Sequence, residues 1–134
     1  MINIAIVYFA LAMVAGMFAR EFTKFSGYTG TTVLKVLHTH LLVLGMFLFL
    51  FLALACKVTD LEKVKQFHWF TILYNIALPL MLIMMLIRGI VQVMGMQNIG
   101  SWNAAISGMA GISHILLLIS FILLFKALKK AFSE

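Results

Sequence analysis

Apolar positions along the chain gather into four long runs separated by short polar stretches. The first, residues 2–19, is apolar apart from Asn3 and Tyr8, and at about 1.5 Å per residue it nearly crosses a hydrocarbon core of about 30 Å. The second covers residues 32–56, the third 67–94 and the fourth 104–128. Each reads as a helix. In the third, Pro79 lacks an N–H and its ring clashes with the preceding turn, which predicts a bend and a freed carbonyl near Asn75. Between the first two runs lie Arg20, Glu21 and Lys24, then Gly27 and Gly30 with Thr29, Thr31 and Thr32, which supply turn and N-cap chemistry. The second connection, Lys57 to Gln66, is short and charged and makes helices two and three antiparallel neighbours. The third, Gly95 to Asn103, is uncharged and places Trp102 as an aromatic-belt residue. Gly108 and Gly111, beside Ala105 and Ala110, form a small-residue face that predicts close helix packing. The pattern predicts an all-α fold, a four-helix transmembrane bundle forming one domain over residues 1–134.

Composition agrees. The chain is 64% apolar and only 10% charged, and its mean hydropathy of +1.13 excludes an ordinary soluble domain. A net charge of +6 would fit nucleic acid only if the cations lined one face; here they flank the apolar runs, as topology signals do. Cys56 is the one cysteine, so an intrachain disulfide and a cysteine-based zinc framework are excluded. The first run has no basic region before it and is read as a retained helix, not a cleaved signal. Four spans put both termini and the second loop on one side. That side collects Lys57, Lys63, Lys65, Lys126, Lys129 and Lys130, against Arg20, Lys24, Lys35 and Arg88 on the other, which predicts cytoplasmic termini.

Chemistry enters with LHTHLLVLGM, residues 37–46, which sets His38 and His40 inside the second span. Ionisable groups in hydrocarbon are costly enough to read as functional. Residues two apart lie about 200° apart around a helix, so the two imidazoles face nearly opposite sides. That spacing calls for two sites, or one within the protomer and one against a neighbour. Helical rise puts both histidines about 9 to 13 Å below the outer boundary and His114, on the fourth span, at about 15 Å. Imidazoles from facing helices at similar depth are how a bundle holds heme, so His38, His40 and His114 are the candidate iron or metal ligands. Thr39, Ser107, Ser113 and the carbonyl freed by Pro79 are candidates for fixing the second ring nitrogen. Arg88, near the outer boundary, suits the propionates of a heme or a lipid phosphate. His68, beside Trp69 at the other interface, reads as a belt residue.

The chain holds 10 methionines, and Met81, Met84 and Met85 on the third span raise an alternative: a small transporter or channel subunit for copper or another soft metal. Their helical spacing equally describes interior packing. No phosphate loop, nucleophile elbow, paired carboxylates or zinc-protease signature appears, and the spans hold no acid for carboxylate-driven ion transport. No particular reaction follows from the residues.

The His-Thr-His helix of residues 37–46 resembles the His-x-His helix of the heme-copper oxidase catalytic subunit, and a related pattern occurs in NnrS-like heme proteins. The whole chain also resembles a small bacterial family of four-helix membrane proteins with no assigned function. The oxidase resemblance implies that His38 and His40 are axial ligands to heme b on opposite faces and that Arg88 holds propionates. It also implies a homotrimer, because the oxidase subunit is built as three arcs of four helices, and a location in the bacterial inner membrane. The adjacent His-His pair and the His-x-x-x-Tyr motif of the oxidase copper site are missing here, and His114 has no counterpart. The resemblance therefore implies heme binding, for electron transfer or for sensing heme or a gaseous ligand, without oxygen reduction.

Overall fold

In the computed structural model, which describes residues 1–96 and 100–133, the chain is all-helical. Four helices are long and apolar enough to cross a membrane: α1 (Ile2–Phe25), α2 (Leu34–Val58), α3 (Lys65–Val93) and α4 (Ser101–Ser133). A 3-10 turn, Leu61–Lys63, joins α2 to α3. The last connection, expected over Gly95 to Asn103, falls partly outside the described residues. Within its described part, α4 already begins at Ser101. α1 and α4 also run beyond their apolar stretches, to Phe25 and Ser133, because a helix continues past the bilayer wherever no breaker stops it.

Local chemistry ends two of the helices. At α1, Ser26 N–H donates to Phe22 O and Tyr28 N–H reaches back to Thr23 O, both at 3.0 Å, around Gly27 at φ 61°. α3 closes the same way, with Met94 N–H on Ile90 O at 2.9 Å and Met96 N–H on Val91 O at 3.1 Å around Gly95 at φ 67°. Only a residue tolerant of positive φ closes such a turn at little cost, and glycine does.

The helices pack in sequence order, α1 along α2, α2 against α3 and α3 along α4. The α1 seam is built of small residues. Ala5, Ala12 and Ala19 are buried with Tyr8, while Gly16 lets His38 approach and Gly45 lets Tyr8 approach. The start of α2 leans on the end of α3. Leu34 lies over Gly89, Thr32 Oγ1 donates to Gly89 O at 3.2 Å, and Val33 N–H donates to Gln92 Oε1 at 2.9 Å. One ring from each helix forms a ladder across the whole layer. Tyr8 stacks on Phe49 (5.8 Å between centroids), Phe49 meets Tyr74 edge-on (5.9 Å), and Tyr74 meets Phe121 edge-on (5.6 Å).

Two expectations change. The apolar stretch after His40 is not plain α-helix: residues Leu41–Phe47 wind as a π-helix, and Leu44 O within it accepts the Tyr74 hydroxyl at 2.8 Å. The glycines of the small-residue face of α4 pack against nothing among the described residues. Gly108 and Gly111 are exposed, and a Cβ added at either would meet no atom within 4 Å. The close small-residue seam is the one on α1. At Pro79, α3 remains helical.

Candidate heme and metal site

His40 and His114 adopt the same local arrangement on different helices. His40 Nδ1 lies 2.8 Å from Val36 O, and His114 Nδ1 lies 2.7 Å from Ala110 O, each the carbonyl four residues earlier. A carbonyl can only accept, so Nδ1 carries the proton in both rings, and in the neutral imidazole Nε2 is left with a free lone pair. Metal-binding histidines are commonly fixed in this way, with one ring N–H tied to a carbonyl and the other nitrogen presented. For His40 and His114 the orienting group is thus the helix's own backbone, not Ser107 or Ser113, while Thr39 meets the ring of His38. Ser113 is buried and donates to the same Ala110 O at 2.7 Å, while Ser107 accepts from Arg88.

His38 sits differently. Its ring packs over Gly16 of α1, its Nδ1 is buried with no hydrogen-bond partner, and its Nε2 lies 3.4 Å from Thr39 Oγ1. The two histidines of the His-Thr-His sequence therefore have separate surroundings, with His38 against α1.

The levels of these groups follow from the helix contacts. Leu34 meets Gly89 and Phe49 meets Tyr74, which puts His40 level with about residue 83 of α3. Arg88 bonds Ser107 and Tyr74 meets Phe121, which puts His114 level with about residue 81. The two histidines lie within about one helical turn of each other in height, yet α2 and α4 each pack on α3 and make no extended contact with one another. The chain does not bring His114 together with His38 or His40. Among the described residues, no group of three or more His, Cys, Asp or Glu side chains is placed to hold a metal ion.

Arg88 is half-buried near the end of α3, and its Nη2 donates to Ser107 Oγ at 2.6 Å beside a small cavity of about 250 Å³ that Gln92 and Asn103 also line. Among the described residues the ion pairs are Arg20 with Glu21 and Lys63 with Asp60, so no carboxylate neutralises Arg88. His68 is exposed with its ring edge-on to Trp69 at 6.3 Å. Met81 is buried in the core and Met84 and Met85 are half-buried. A larger apolar groove of about 800 Å³ runs between α1 and α3 over Leu37 and Leu41, but neither the histidines nor Arg88 line it.

The π-helical segment beginning one residue after His40 was not legible in the sequence, nor were the Gly16–His38 and Gly45–Tyr8 contacts, which needed the pairing of α1 with α2. Nor were the i−4 carbonyl partners of His40 and His114 legible, since His38, also in a helix, leaves its Nδ1 without a partner.

Fold and site together define an all-helical protein with four helices long and apolar enough to cross a bilayer, carrying histidines within them. The chain belongs to the family described as protein of unknown function (DUF2871), whose model matches residues 1–131. No curated protein and no solved structure matches it, and nothing in these comparisons connects it with the heme-copper oxidases.

Proposed function

We propose that this protein is a multi-pass membrane protein that binds heme b through its intramembrane histidines and works in electron transfer. The observation that carries the reading is the pair of imidazoles at His40 and His114, each with Nδ1–H held by a backbone carbonyl and Nε2 unencumbered. His38 adds a third imidazole, whose buried Nδ1 has no partner in the chain. Arg88, a cation without a carboxylate, suits the propionates by charge-assisted hydrogen bonds. A heme with two histidine ligands supplies one-electron redox chemistry, whereas an open axial position would suit gas sensing. The residues' own task is to present neutral imidazoles in fixed orientation and to keep water from the iron. The cation distribution supports cytoplasmic termini, with Arg88 towards the opposite surface.

The test is the optical spectrum of the purified protein, oxidised and dithionite-reduced, with a pyridine hemochrome count of heme per chain. A Soret band with sharp reduced α and β bands is expected, lost or shifted in His40→Ala. A protein that stays colourless after added hemin overturns the reading, and bound copper in that protein would favour the soft-metal carrier instead.

A further inference from the structure

Building on the heme reading, we infer that the ligand pair is completed between two copies of this chain, with His40 Nε2 of one copy and His114 Nε2 of the next as the two axial donors. Within one chain the pair stays open, because α3 stands between α2 and α4. Both Nε2 atoms are acceptors, since both Nδ1 atoms carry the proton. Two such nitrogens cannot hydrogen-bond each other; what joins them is an electrophile, and iron is one.

Their surfaces are ready for a neighbour. His114 is exposed, flanked by exposed Gly111 and Ile115, and the open space above Gly108 and Gly111 lets another helix approach closely. On α2, His40 is half-buried and is flanked by Val36 and Val43, 45% and 52% exposed, so this edge of the helix is partly uncovered by the chain. The heights are close as well. His40 and His114 are level with about residues 83 and 81 of α3, within about one helical turn, and rotation about an axis along the helices keeps that offset unchanged. An α2 face against an α4 face is a head-to-tail contact, which forms a ring when its rotation closes. A trimeric ring contains three such junctions.

The experiment is complementation between differently tagged His40→Ala and His114→Ala chains. Each variant alone should lose the two-histidine low-spin spectrum. Co-expressed and purified through both tags, they should regain it at about one junction in three, because every mixed trimeric ring contains one junction with both histidines. No regain in oligomers that carry both tags would overturn the inference, as would a full low-spin spectrum in His114→Ala alone. A readout independent of heme is cross-linking by a bis-maleimide of about 10 Å reach, too long a gap for a disulfide, between a Val43→Cys chain and an Ile115→Cys chain, both in a Cys56→Ser background. A heterodimer band is expected. Heme binding without any cross-link overturns the inter-copy site alone, whereas cross-linking in a protein that binds no heme overturns the heme reading and leaves the α2–α4 contact standing.

Discussion

Replacing Gly45 with alanine tests the seam that seats α2 on α1. A Cβ at this position would overlap the Tyr8 ring, lying 2.6 Å from Tyr8 Cβ and Cδ1, where ordinary contact begins at 3.4 Å. Tyr8 is buried and stacked on Phe49, so the ring has little room to swing aside and the two helices must part by roughly 1 Å. A gap of that size forfeits about a quarter to a half of each dispersion contact along the seam. Overpacking of this kind costs about 1–3 kcal/mol. Alanine recovers up to about 1 kcal/mol by restricting the unfolded backbone and favouring the helix. The net expectation is a loss of about 1–2 kcal/mol in unfolding free energy, measured by SDS titration of the detergent-solubilised protein followed by circular dichroism. In a Tyr8→Gly background the clash is gone, and Gly45→Ala should become stabilising. Gly16→Ala is the control: its Cβ would stand 3.7 Å from His38, an ordinary contact, so only the propensity gain applies. If Gly45→Ala stabilises the wild-type chain as Gly16→Ala does, or shows the same effect with and without Tyr8, the proposed seam is wrong.

Two further outcomes follow from the same contacts. Tyr74→Phe removes the donor to Leu44 O and leaves a buried carbonyl of the π-helical segment unpaired; a loss of about 1 kcal/mol is expected in the same titration, the modest size typical of hydrogen bonds between membrane helices. With cytoplasmic termini, a fluorescent protein fused after the last residue should glow while an alkaline phosphatase fused there stays inactive; the reverse pattern would refute the orientation drawn from the lysines.

Much of the fold was legible because its signals are local. Four apolar runs, a charged 57–66 connection and the Gly27 turn each declare themselves within a few residues, and four helices result. Pairing was less legible. Small residues on α4 looked like a packing face, yet α4 meets α3 through Ile106, Ser113, Leu117, Ser120 and Leu124, and its glycines point away. In an apolar span every face is hydrophobic, so periodicity loses the contrast that marks the inside of a soluble helix. The histidines stood out by charge cost alone, but the ring nitrogen each presents depends on a hydrogen bond that only the folded helix shows.

The level of His40 and His114 is also where the backbone is least regular. Pro79 has no N–H to give Asn75 O, so α3 loses a donor about one helical turn from the height of His40. Beside it, α2 leaves α-helical winding at Leu41 and stays π-helical through Phe47. Backbone polar groups without helical partners are expensive in an apolar surround, and π-helical insertions are frequent at functional sites. The Tyr74 hydroxyl, which ties α3 to the π-helical turn through Leu44 O, holds the two irregular stretches in fixed register.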